Sequence, residues 1–218
     1  AERHGVMPGA AGVHADDGAA ADDLACLLVA CRRPVGLWKV DAVGLERAGQ
    51  PCIAGDKGGG AGALRKLDEG QYGAIILAAA GLKRLGLSDR ITALLTPEEC
   101  LPAVGQGALG IECRADRDEL VTMLVPLVHA PTRDCVVAER AFSRALAGSC
   151  NVPLAGFAEL SGTRLRLRGL VGAPDGSRIV RAESAGAAAD AEAMGAALAD
   201  TLKRQGAAQI LAALDLRT

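Results

Sequence analysis

The pattern that most constrains the fold lies between residues 153 and 184. Three strand candidates, "PLAGFAEL", "RLRLRGLVG" and "SRIVRAES", are joined by "SG" and "APDG". Both joins are strong hairpin punctuation, because glycine, proline, aspartate and serine supply tight-turn conformations. An antiparallel three-stranded meander is predicted. In "RLRLR" successive side chains alternate, so Leu165 and Leu167 share one face while Arg164, Arg166 and Arg168 share the other. The leucine face needs a cover. The arginine face reads as solvated in preference to carboxylate-binding.

Helices flank the meander. In "TRDCVVAERAFSRALAG", Thr132 suits the cap, Asp134 the first turn and Gly148 the position just past the end. Val136, Val137, Ala141, Phe142, Ala145 and Leu146 give this helix an apolar face. A second helix, "ADAEAMGAALADTLKRQG", is stopped by Gly206. Residues 130–218 therefore read as a compact α+β domain with a three-stranded antiparallel sheet and helices, bounded near "HAPT". Aromatic residues are only 2% of the chain, so the core is packed from Ala, Leu, Val and Ile.

Residues 64–129 read as an α/β region. "ALRKLDEGQYG" is a helix stopped by Gly70, "AIILAAAG" a short buried parallel strand and "LKRLGL" a helical turn. "SDRITALLTPEECLP" is a turn-rich connection, and "AVGQGALGIECR" a strand opened by a glycine-rich turn. Gly105 and Gly107 serve either turn geometry or close backbone approach to a ligand. "DRDELVTMLVPLVHAP" is helical up to a kink or end at Pro126. Residues 1–63 have no sustained period and read as a poorly specified segment, although "DLACLLVAC" suits one short buried helix or strand.

The net charge of −2 gives no broad attraction to nucleic acid or anionic membrane. Seven cysteines occur at wide spacings with no C-x-x-C pair, so no metal site is expected. No signal peptide is recognised, and the apolar run "AIILAAAGL" is too short to span a bilayer. A reducing cytoplasm with free thiols is the simplest expectation.

One thiol stands apart. Cys150, in "GSCNVP", lies just beyond a helix C-terminus, whose negative dipole end disfavours a thiolate. No histidine is near it in sequence. An activated nucleophile is a poor reading. Locally, a small residue filling a gap is favoured. The alternative is a covalent anchor, which needs no lowered pKa when the incoming electrophile is reactive.

The blocks "LRKLDEGQYGAIILAAAGLKRLGL", "LPAVGQGALGIECR", "AERAFSRALAGSCNVPLAGFAEL" and "LRLRGLVGAPDGSRIVRAE", in that order, closely resemble hydroxymethylbilane synthases, also called porphobilinogen deaminases. The resemblance covers about residues 64–218. It implies a partial type II periplasmic-binding-protein-like domain followed by the C-terminal domain that carries the cofactor cysteine. It further implies that four porphobilinogen molecules are condensed head to tail, each releasing ammonia, on a dipyrromethane cofactor held by a thioether. The position matching the attachment cysteine is Cys150. Arg84 matches a family arginine that contacts carboxylates of cofactor or substrate, and Gln106 a glutamine near the cofactor. Gly81 falls in the loop after the strand, and Lys83 is a weaker match. A cytoplasmic monomer acting on porphobilinogen is expected, without nucleic acid or membrane.

The chain also departs from the family pattern. The family's catalytic aspartate, in a "KD" pair, has no counterpart block here; "GVHADDG", with Asp16 and Asp17, lacks the lysine and is out of place. The catalytic residue is therefore unassigned. Before "LRKLD" the family's arginine motif is replaced by "KGGGAGA", with Lys57 and Ala63 at the arginine positions. A frameshift upstream of Leu64 would produce this pattern, and an intact alternative frame in the nucleotide sequence would support it. The competing readings are an incomplete, inactive fragment and a non-catalytic module that binds tetrapyrrole precursors.

Overall fold

The computed structural model describes residues 27–31, 39–41, 44–47, 50–51, 53–54, 59–72, 74–146, 152–174 and 176–215. Asp16, Asp17, Lys57, Gly148 and Cys150 lie outside the described residues.

Among the described residues five short strands precede the first helix: β1 (Leu27–Cys31), β2 (Lys39–Asp41), β3 (Gly44–Arg47), β4 (Gln50–Pro51) and β5 (Ile53–Ala54). Of the two options for "DLACLLVAC", its described part, Leu27–Cys31, takes the strand. β2, β3 and β4 form an antiparallel ribbon. Helix α1 (Gly59–Asp68) leads into β6 (Ala74–Ala78) and α2 (Ala79–Arg84). After a 3-10 turn at Ser88–Arg90 comes β7 (Ala93–Leu95), inside the stretch expected to be only a connection. β1, β5, β6 and β7 make one sheet in the order β5-β6-β1-β7. β6 runs parallel to β5, as its apolar run suggested, but antiparallel to β1.

Packing explains α1. Gly59, Gly60 and Gly62 within α1 disfavour a helix, with glycine roughly 1 kcal/mol worse than alanine. Ala63, Leu64 and Leu67 are nevertheless buried with Ile75, Ala79 and Leu82, and that tertiary contact overrides the local preference. Gly70, at φ 79°, stops the helix by taking the left-handed conformation that other residues resist. α2 begins sooner than expected, because strong helix formers Ala79 and Ala80 follow β6 directly. Gly81 is consequently a helical residue and not a loop residue.

"ALGIECR" forms no strand among the described residues. Leu109 and Ile111 are exposed, and no neighbouring strand pairs with the segment. α3 (Asp118–Leu124) gives way to a 3-10 turn around Pro126, where the proline ring and missing N–H end the regular helix.

The C-terminal domain follows the expected order. α4 (Ala130–Ala145) begins earlier than Thr132 would place it, because Pro131 is tolerated in a first turn, where no N–H is needed. His129 is the capping position, and the Thr132 hydroxyl bonds the His129 ring at 2.8 Å instead of capping. Then come β8 (Leu154–Ser161), β9 (Arg164–Gly172) and β10 (Ile179–Ala187), all antiparallel with β9 central. Gly162, at φ 60°, makes the first hairpin turn possible. α5 (Ala191–Leu202) and α6 (Ala208–Asp215) are separated at Gly206, whose φ of 114° breaks the helix without ending the helical run.

α4 and α5 lie side by side on one face of the meander. Leu165 and Leu167 are fully buried there, with Phe142, Val171, Leu198 and Leu202. Each such side chain contributes about 1.5–3 kcal/mol by leaving water. No single helix among the described residues is long and apolar enough to cross a membrane.

Candidate functional site

The turn at Val104–Gly107 carries Gln106. Gly105 and Gly107 have φ of 73° and 84°, so backbone geometry accounts for both glycines. The turn closes through Gln106 N–H to the Ala103 carbonyl at 3.0 Å and Ala108 N–H to the Gly105 carbonyl at 3.1 Å. Gln106 is half-buried.

Long-range bonds fasten this turn to the C-terminal domain. Gly156 N–H, on the free edge of β8, donates to the Pro102 carbonyl at 3.1 Å. The Glu139 carboxylate, on α4, accepts from Gly105 N–H and from Ala158 N–H of β8, each at 2.7 Å. One side chain thus ties three segments together. Glu139 is only 5% exposed. Burial pushes its carboxyl up to about 7, and the two N–H bonds pull the other way without cancelling the shift. Reading the sequence for motifs passes over Glu139. The signal was a charged residue three positions before Phe142, inside the apolar stripe of α4.

Arg84 ends α2, exposed to solvent and without an ion pair among the described residues. Lys83 beside it is also exposed. Gly81 is exposed on the same helix, and a Cβ there would meet nothing within 4 Å. Gly81→Ala should therefore stabilise the fold by about 0.5–1 kcal/mol through helix preference, read from the denaturation midpoint. A loss of stability would contradict the helical placement.

The arginines of β9 divide. Arg164 and Arg166 are exposed, and Arg166 pairs with Glu183 at 2.7 Å. Arg168 departs from the solvated reading: its side chain is 10% exposed and bridges Glu98 and Glu159, each at 2.5 Å. Its guanidinium lies 5.4 Å from the Phe157 ring centroid, within cation–π range. The sheet's outer face was expected to meet water, but residues 97–101 fold over part of it. Between them and the sheet lies a cleft of about 360 Å³, with Cys100, Arg166, Arg168 and Arg181 in its lining. Among the described residues no cluster of three His, Cys, Asp or Glu side chains is placed to hold a metal ion.

No hydrogen bond or ion pair joins Arg84 to Gln106. Gln106 is instead brought against α4 and β8, the two elements that flank Cys150 in the chain. An exposed guanidinium without an ion pair among the described residues, and a half-buried amide, suit a carboxylate-bearing organic group.

The helix-covered meander is thus bound through a glycine turn to an α/β region. Residues 54–122 match the porphobilinogen deaminase dipyromethane cofactor binding domain, and residues 134–204 match the porphobilinogen deaminase C-terminal domain. A porphobilinogen deaminase of Nitrosomonas europaea is 60% identical over 151 residues, which is 69% of this chain and 49% of the relative. The chain belongs to the porphobilinogen deaminase family. It spans about half the length of this curated relative.

Proposed function

We propose that the chain acts as a hydroxymethylbilane synthase in tetrapyrrole biosynthesis, joining four porphobilinogen molecules head to tail with release of ammonia. Cys150 holds the dipyrromethane cofactor through a thioether. The observation that carries this reading is the fastening of the Gln106 turn to α4 and β8, the neighbours of Cys150 in sequence. When bound, the cofactor would supply the terminal pyrrole to which the first unit is joined, each later unit joining the one before it. The chain's own residues bind and orient. The Arg84 guanidinium takes a pyrrole carboxylate in a two-pronged contact, for which its exposure, with no ion pair among the described residues, leaves it available. The Gln106 amide offers the ligand both a donor and an acceptor. Gly81, with open space before it, lets the ligand approach α2 closely.

Residues 64–129 are read as the remainder of a type II periplasmic-binding-protein-like region, residues 130–218 as the cofactor-attachment domain, and residues 1–63 as the segment standing before them. The site works on porphobilinogen in a cytoplasmic monomer, and the catalytic carboxylate is unassigned.

Intact-mass measurement after incubation with porphobilinogen tests the proposal. A two-pyrrole adduct is expected, and Cys150→Ser should abolish it completely. An unmodified wild-type mass would sink the anchor assignment. A turnover assay then decides between readings: linear tetrapyrrole supports the synthase, whereas an adduct without product favours a non-catalytic binding module.

A further inference from the structure

We propose that Glu139 is a positioning residue that clamps the Val104–Gly107 turn, and so Gln106, onto the edge of the C-terminal sheet. The inference rests on the functional reading only for the role of Gln106. The clamp itself stands on geometry. β8 is an edge strand, and its outward N–H groups need partners. The backbone of residue 102 satisfies Gly156, and the Glu139 carboxylate satisfies Ala158. The second oxygen of the same carboxylate takes Gly105 N–H. An ionised carboxylate accepts both bonds equally. Once protonated, one oxygen becomes a hydroxyl and a poorer acceptor, so one of the two bonds weakens.

Among the described residues Glu139 has no charged partner. Cys135 lies one turn back on α4, and burial first, then Glu139, pushes its thiol up to about 12. Asp134 on α4 and Glu159 on β8 also act on Cys135, but no side-chain charge contributes to the shift at Glu139. The turn side of the clamp carries Gln106, which is uncharged. His129 stands at the far end of α4, bonded to Thr132. Among the described residues two N–H dipoles hold the Glu139 charge, with burial the larger effect.

Two consequences follow. The clamp tightens as pH rises through about 7. Global stability moves the other way: the folded-state pKa is raised above the ordinary carboxylate value, so this group's contribution is full below about 4.5 and is lost as pH rises through about 7.

Amide NMR of the full chain between pH 5 and 9 tests the clamp. The Gly105 and Ala158 amide protons should titrate together with one midpoint near 7, moving downfield as Glu139 ionises. Glu139→Gln should remove both titrations and raise hydrogen exchange at Gln106 by about tenfold, while Leu165 and Leu167 stay protected. It should also flatten the fall of the denaturation midpoint between pH 5 and 7. His129→Gln should leave the Gly105 and Ala158 titrations in place. Independent midpoints for Gly105 and Ala158, or no titration at Gly105, would overturn the clamp. The wild-type titration decides this even where Glu139→Gln fails to fold. It also stands apart from the porphobilinogen adduct, so failure of either reading is distinguishable.

Discussion

Phe142→Ala is expected to cost about 3–5 kcal/mol of stability, the range for emptying a fully buried aromatic site. Phe142 is 0% exposed and sits at the centre of the C-terminal core. Its seat is made by two glycines, Gly156 and Gly169, which face each other across β8 and β9. A Cβ at Gly169 would come within 2.6 Å of the Phe142 ring, and one at Gly156 within 3.0 Å. The ring occupies the volume that two side chains would have filled. With so few aromatics in the chain, no neighbouring ring can expand into the gap. Urea denaturation should show the loss as a lowered midpoint. Gly169→Ala should cost about 1–3 kcal/mol by overpacking the same space. The two changes share one cavity, so a Phe142→Leu and Gly169→Ala pair should lose less than the sum of its singles, by about 0.5 kcal/mol or more. A Phe142→Ala protein within about 1 kcal/mol of wild type would contradict this account of the core.

The C-terminal domain was legible because its signals are local. Alternation in "RLRLR", two hairpin turns and an apolar stripe on each helix specify the same meander. The N-terminal region was not, because its strands are short and paired at long range. β1 joins β6 and β7, and neither partner is visible in the β1 sequence. "ALGIECR" has the apolar alternation of a strand but no ladder to join among the described residues, and pattern alone cannot supply a partner. Gly81 was misplaced by the alanine run, in which strand end and helix start have the same composition.

Site residues divided in the same way. Gln106 was named by the family resemblance alone; its flanking glycines specify the turn, which the structure shows, but not a ligand. Glu139 was missed because its partners are backbone N–H groups, which carry no sequence signature. Arg168 was taken for a solvated charge because alternation tells which face a residue occupies but not what covers that face. The covering segment, residues 97–101, is far from β9 in sequence, and Glu98 reaches Arg168 only through the fold.

Gly195→Ala should destabilise the chain by about 2 kcal/mol or more, against its local preference. In an isolated helix the same change would stabilise by about 1 kcal/mol. In the folded domain Gly195 lies where α5 presses on α4. A Cβ there would fall 2.2 Å from the Ala138 carbonyl oxygen and 2.8 Å from both the Ala141 Cβ and the Phe142 nitrogen. Backbone atoms cannot rotate aside as a side-chain tip can, so the two helices must separate. Separation loosens Phe142 on its glycine seat and shifts Glu139, the residue after Ala138, relative to β8. Gly105 exchange should therefore rise together with the fall in stability. Gly186→Ala is the control: its Cβ would meet the Met194 sulfur at 2.9 Å, a flexible side chain that can move, so its effect should stay below about 1 kcal/mol. Denaturation midpoints for both variants, with amide exchange at Gly105, decide the matter. A stabilised Gly195→Ala protein would mean that helix preference outweighs the contact and that α4 and α5 do not meet this closely.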